Sequence, residues 1–285
     1  IRDQPRSRGL GDVYKRQVLD SISTGATIAF SMECYEQGIL TPEDVDGIDL
    51  TWGNSDAVLQ MIHKIARREG IGDLLADGVK RAAAQLGHGS EHFAMHVKGQ
   101  ELPMHEPRGK RGLAIAYAVS PTGADHMEAP HDPFYEGFDN PHNEFSQLGL
   151  NEAVDRLDLG PKKVRAFFTT QMVWSLYNCV GMCDFVGQPI GELTLEKLRE
   201  YVNAATGWDI SLVDLMKVAE RSNTMARMFN LREGFDADDD NLPSRMYEPL
   251  QNGALVGEAL DREEVDSALK PVSYTHLTLP TNREV

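Results

Sequence analysis

The sequence predicts an all-α chain, or nearly so, arranged as two helical domains. Three observations carry this. Apolar residues recur at intervals of three and four in several segments, which is the period of one helix face. No segment sustains the apolar–polar alternation of a half-buried strand for more than a short stretch. A run too rich in glycine and proline for a regular element, Gly99 to Gly112, separates a first group of helices from a second.

The first helix is expected from Thr24 to about Gln37, because Ile28, Ala29, Met32 and Tyr35 keep the helical period and Gly38 ends it. Cys34 falls inside it. The second begins at Asn54 or Ser55 and runs through Val58, Met61, Ile62 and Ile65 to Arg67-Arg68-Glu69-Gly70, where basic residues suit the negative end of the helix macrodipole. A third is expected without interruption from Gly72 to Leu86, with Leu74, Leu75, Val79, Ala82, Ala83 and Leu86 on its face. The domain boundary is placed near Lys98, giving one domain over 18–97 and another over 98–271. The second domain contains a buried-looking run, Leu113 to Val119, and then the loop Ser120 to His126. Helices follow at about 162–178, 194–205 and 211–230. The last opens on Ser211-Leu212-Val213-Asp214, a near capping box with Asp in place of Glu or Gln.

Composition removes several classes of function. Acidic residues outnumber basic ones by 44 to 28, so the overall field repels phosphate backbones and anionic lipid, and neither nucleic acid nor a membrane surface is an expected partner. No apolar run approaches the roughly 20 residues that cross a bilayer, and no signal-peptide core opens the chain, so a cytoplasmic location is expected. Three cysteines are too few for a disulfide framework, which agrees with a reducing compartment. There is no solenoid repeat and no glycine-rich phosphate loop. The acidic run Asp236 to Asn241 lacks the glycine and distal Glu of a calcium loop and reads as a solvated turn.

Both ends read as foreign to the fold. Residues 1–17 are basic and aperiodic, and residues 272–285, from Val272-Ser273-Tyr274-Thr275-His276-Leu277 onward, resemble translated sequencing-adapter read-through.

Two segments could do chemistry. Cys179 and Cys183 are four apart, which on a continuous helix would set both thiols on one face, although Gly181 argues against continuity. With Cys34 the chain offers three thiols, short of the four ligands of a zinc or iron–sulfur site, and two small buried side chains are the plainer reading of the pair. The stretch Thr122 to Asp132 gathers His126, His131, two aspartates and a glutamate, a set able to shuttle protons or bind metal, or simply an exposed polar loop. His63, His88, His92, His96 and His142 have no convincing company and read as surface residues.

Taken in order, Leu19-Asp20-Ser21-Ile22-Ser23-Thr24-Gly25, Trp52-Gly53-Asn54, Arg67 through Asp73, Glu101-Leu102-Pro103 with Pro107-Arg108-Gly109, Gly123-Ala124-Asp125-His126 and Gly181-Met182-Cys183 resemble the tungsten-dependent aldehyde ferredoxin oxidoreductases. The resemblance covers about residues 18–271 and corresponds to the helical domains 2 and 3 of that family. It implies a fragment of an enzyme that oxidises aldehydes to carboxylic acids. The implied cofactors are tungsten or molybdenum in a bis-pterin, and a [4Fe–4S] cluster that passes electrons to ferredoxin.

By the same resemblance Cys183 is the fourth cluster ligand, and Cys179 an incidental core residue. Asn178 stands where the family has Asp and, with Gly181 and Met182, meets a pterin; Asp20 ends the second pterin motif. His126 is placed to move a proton or hold the substrate oxygen. The other three cluster cysteines, the glutamate partner of His126 and the pterin-cradling domain would lie upstream, so the missing N-terminal domain of the same protein is an expected partner, alongside ferredoxin, the aldehyde substrate and a second copy in a homodimer. The alternatives are a family member acting on another carbonyl or an aromatic acyl substrate, and a non-catalytic helical scaffold.

Overall fold

The computed structural model describes residues 19–277. The N-terminal segment set aside above therefore lies outside the described residues, as does the tail beyond Leu277. The regular structure of the described chain is helical, apart from one two-stranded hairpin of two-residue strands and an isolated bridge between Gly187 and Leu193, and the chain divides into two compact units. One comprises the chain through His105 with Thr122–Ala124 and Pro243–Arg245. The other comprises Glu106–Pro121, Asp125–Leu242 and the chain from Met246 onward. The division falls at His105/Glu106. Lys98 itself sits in the turn of the hairpin formed by β1 (His96–Val97) and β2 (Gln100–Glu101), with Lys98 and Gly99 both at positive φ, as a tight two-residue hairpin turn requires.

The first unit is built on α1 (Ser21–Glu36), which buries Thr24, Thr27, Ile28, Phe30, Ser31, Met32 and Cys34. Residues buried almost all round the barrel make this a central helix rather than a surface one. Its N-terminus is capped by Asp20, whose carboxylate accepts from the Ser23 amide at 2.6 Å. Next, α2 (Ser55–Arg67) starts at the predicted Asn54 cap, with the Ala57 amide donating to Asn54 Oδ1 at 3.2 Å. It presents Met61, Ile62 and Ile65 to a core that also takes in Val45, Leu50, Leu75 and Val79.

The helix expected from Gly72 to Leu86 is two helices, α3 (Ile71–Leu75) and α4 (Val79–Leu86). The break is at Gly78, at φ +83, where a β-carbon would lie 2.7 Å from Glu101 Oε1. That carboxylate accepts from the Val79 amide at 2.8 Å and caps α4 from 22 residues away. Glu101 is buried, so its charge is met by the helix N-terminus instead of water. Apolar periodicity runs through Gly78 unchanged and cannot register a cap delivered by a distant strand.

In the second unit the buried-looking run is a short helix, α5 (Arg111–Val119), with every residue from Gly112 to Ala118 buried. After α6 (Asp132–Tyr135) comes the longest apolar pairing of the unit, α7 (Pro161–Cys179) against α9 (Leu212–Arg232), with α8 (Leu195–Thr206) alongside. Phe138, Phe145, Trp174, Tyr177, Leu198 and Leu215 are among the side chains of their shared core. The capping box at Ser211 and Asp214 forms in both directions. A last helix, α10 (Arg262–Leu277), packs on α5 and α7 and was not expected; the start signal is nonetheless present, since Asp261 accepts from the Glu264 amide at 2.9 Å. The acidic run ends in Asp240, which is buried and ion-paired with Arg227 at 2.9 Å, so it is anchored structure and not a fully solvated turn. His63 and His96, expected at the surface, are half-buried, and burial first, with the Lys80 charge second, holds the His96 imidazole below its ordinary value.

Candidate functional site

In the second unit one helix, α7, ends at the cysteine turn and holds the loop that carries His126. At its far end α7 stops in a Schellman motif: the Met182 amide donates to the Tyr177 carbonyl at 2.9 Å and the Gly181 amide to Asn178 at 3.1 Å, with Gly181 at φ +70. A side chain in that left-handed position costs about 1 kcal/mol or more, which is reason enough for a glycine between the cysteines. Because the helix ends at Cys179 and the chain reverses at Gly181, the two thiols do not share a helix face. Both are exposed. The expectation that Cys179 is a core residue is corrected: as the last residue of α7, past the turn that Tyr177 buries, it faces outward. Cys34, in the first unit, is the buried thiol, pushed up to about 12 by burial and the neighbouring Glu33 charge.

Beyond the turn, the Tyr177 hydroxyl donates to the Gln188 carbonyl at 3.2 Å, and Gly187 lies against the Tyr177 ring, which ties the following loop back to α7. Within this turn Asn178, Gly181 and Cys183 are exposed and Met182 is half-buried against the core. Asp184 was not anticipated. Its carboxyl is pushed up to about 6 by burial, with the charge of Asp125 adding to it, and its Oδ1 is buried without a hydrogen-bond partner among the described residues. No sequence period marks it; the signal lay only in its place beside Cys183.

The charge of Asp125, felt at Asp184, puts the start of the histidine loop near this turn. The loop is held to α7 at two further points. The Gln171 amide donates to Glu128 Oε1 at 2.5 Å. The Lys163 ammonium donates to the Asp132 carboxylate, with both side chains essentially inaccessible to water. Asp132 also accepts from the amides of Gly112 at 2.8 Å and Leu113 at 3.2 Å, so it caps α5 as well. His126 lies two residues before the first of these anchors and is half-buried. The neighbouring His131 places Nε2 at 2.9 Å from the His126 carbonyl and Nδ1 at 3.4 Å from the Lys110 ammonium, and the two imidazole rings meet edge-on at 6.0 Å.

The sequence-derived candidates therefore fall in two places. His126, Asn178, Gly181, Met182 and Cys183 belong to the second unit, around α7. Asp20 belongs to the first unit, where its carboxylate caps α1. Among the described residues no group of three or more His, Cys, Asp and Glu side chains is gathered to hold a metal ion, and no described helix is long and apolar enough to cross a membrane.

A family model described as aldehyde ferredoxin oxidoreductase, domains 2 & 3, matches residues 9–274. The match reaches into both terminal segments that the sequence alone set apart. Tungsten-containing aldehyde ferredoxin oxidoreductases of Pyrococcus abyssi and Thermococcus kodakarensis are 35% and 36% identical to this chain over 252 and 250 residues, covering 87% of it and 39% of their own length. An aliphatic sulfonate oxidoreductase, WOR-like subunit, of Pyrococcus furiosus is 32% identical over 265 residues, covering 88% of this chain and 36% of its own. The chain thus spans about two fifths of the relatives it matches. Among solved structures, the active-site complex BamBC of benzoyl coenzyme A reductase with 1,5-dienoyl-CoA superposes with a TM-score of 0.70 at 21% identity, over 90% of this chain and 41% of that one, a likeness of fold.

Proposed function

The chain belongs to the aldehyde ferredoxin oxidoreductase family, and on that premise we propose that it supplies the helical part of a tungsten- or molybdenum-pterin enzyme that oxidises aldehydes to carboxylic acids, with electrons leaving through a [4Fe–4S] cluster to ferredoxin. The observation that supports this best is that one helix, α7, anchors the His126 loop along its length and carries the exposed Cys183 thiol at its end. An exposed cysteine at a turn suits one ligand of a cluster, and the described residues do not suit a self-contained centre, since no three-ligand group exists among them. The other ligands belong to the part of the full-length protein that this chain does not span.

When bound, the metal–pterin centre supplies the two-electron redox chemistry. Oxidation of an aldehyde with one water to the acid releases two electrons and two protons, so the site needs a group that handles protons. His126 takes that role, moving a proton or holding the substrate oxygen. Asp20, Asn178, Gly181 and Met182 would help to hold the pterins, Asn178 through an amide that keeps an acceptor oxygen where a carboxylate would add charge. The kinship to a sulfonate oxidoreductase subunit makes sulfonates the competing substrate class.

The test uses a full-length protein carrying this chain, assayed with an aldehyde and a sulfonate panel for substrate-dependent ferredoxin reduction. His126→Asn should leave metal and iron content near normal and cut turnover by about 10²–10⁴-fold, the scale of a positioned acid or base. Untouched turnover at saturating aldehyde refutes the role. Cys183→Ser should lose or convert the cluster signal in electron paramagnetic resonance of the reduced protein, while Cys179→Ala keeps it.

A further inference from the structure

We propose that His131 is a positioning residue for His126, acting as a single-tautomer clamp on its backbone carbonyl. The proposal rests on the reading of His126 as the proton-handling residue. Two independent contacts select the same form of the ring. An ammonium has only protons to offer, so Lys110 at 3.4 Å requires a lone pair on Nδ1. A carbonyl has only lone pairs to offer, so the His126 oxygen at 2.9 Å requires a proton on Nε2. The neutral Nε2–H imidazole meets both demands. The other tautomer meets neither, and the imidazolium would set an N–H against the ammonium.

The charged and titratable groups facing the ring are Lys110, His126 and Asp132. Burial first, and the Lys110 charge after it, hold the imidazole below its ordinary value, against the opposing pull of the His126 carbonyl and of Asp132. His131 is fixed in turn by its own neighbour: Asp132 is locked between the α5 N-terminus and Lys163. The edge-on contact of the two rings, 66° between planes, limits the rotation of the His126 imidazole as well as its backbone. The arrangement holds the His126 imidazole through its main chain and its ring edge.

Imidazole nitrogen NMR of the chain labelled at histidine reads the clamp without any turnover. His131 should show the Nε2–H pattern, and Lys110→Met should move its titration up toward the ordinary value near 6.5 while shifting the His126 ring resonances. An Nδ1–H pattern, or a Lys110→Met spectrum unchanged at both histidines, overturns the proposal. In full-length holoenzyme, His131→Gln, whose amide can still donate to the carbonyl, should keep kcat within about threefold, and His131→Leu should lower it about 10- to 100-fold with KM little changed, the cost of a misplaced reacting group. Equal kcat in the Gln and Leu variants refutes positioning. If His126→Asn proves silent while the nitrogen spectra are as expected, the function assigned to His126 fails and the clamp stands.

Discussion

Replacing Lys163 by methionine removes one half of a buried ion pair and leaves the other in place. Asp132 and Lys163 are 1% and 0% exposed in their side chains, so neither charge can be rescued by water. Breaking such a pair costs about 3–5 kcal/mol, because the remaining charge stays desolvated. Asp132 keeps two amide donors, from Gly112 and Leu113, and the positive end of α5, which place Lys163→Met toward the lower part of that range. Once Asp132 becomes Asn, Lys163 loses its paired carboxylate and keeps a neutral amide oxygen, the Tyr135 ring 5.2 Å from its nitrogen and the pull of the Glu136 charge, so Asp132→Asn belongs toward the upper part. The double variant carries neither charge of this pair, and the asparagine oxygen still accepts from α5. It should be less destabilised than the two singles together by at least about 2 kcal/mol. Urea unfolding of the four proteins at pH 7, followed by circular dichroism with the slope checked for constancy, gives the cycle directly. Singles below 1 kcal/mol, or energies that simply add, would refute the reasoning.

Further outcomes can be checked on the same chain. In native protein a maleimide should label Cys179 and Cys183 but not Cys34, whose thiol is buried and pushed up to about 12; three equal rates would contradict the described burial. Gly181→Ala should cost about 1–2 kcal/mol, since φ +70 is strained for any residue with a β-carbon; an unchanged urea midpoint would be the contrary result. Glu101→Ala should speed exchange of the Val79 amide and cost about 1–2 kcal/mol, as loss of a helix cap does, whereas retained protection at Val79 would deny the cap. Below about pH 6.5 the unfolded chain takes a proton at His96 that the folded chain refuses, so stability falls with pH from there toward the depressed folded value. His96→Gln should flatten that slope, and an identical slope in the variant would exclude His96 as its source.

Local signals were legible where structure is local. The Asn54 start of α2, the Ser211 and Asp214 box and the buried run from Leu113 each follow from residues within a few positions of one another. What escaped is delivered from afar: the break at Gly78 depends on Glu101, and the burial of Asp240 depends on Arg227. The site divides in the same way. Cys183 and His126 stand out in sequence by residue type, and Gly181 by the turn it permits. The anchors Lys110, Lys163 and Gln171 do not, because a long polar side chain looks the same in sequence whether its head reaches solvent or a partner inside the fold. Cys179 shows the converse error, since thiols are buried on average but the last residue of a helix takes its exposure from the turn that follows.

The helix α7 acts as a ruler. Between Gln171, which holds Glu128, and Asn178, where the cysteine turn begins, lie seven residue steps, or about 10 Å of axial rise. One residue inserted there would advance the turn by about 1.5 Å and swing it by about 100° relative to the His126 loop. One residue deleted would do the reverse. Exchange of side chains within the segment leaves that spacing alone. Length, more than composition, is therefore the quantity this stretch of chain has to keep, and insertions or deletions between 171 and 178 would misregister His126 and Cys183 even where every residue named here was retained.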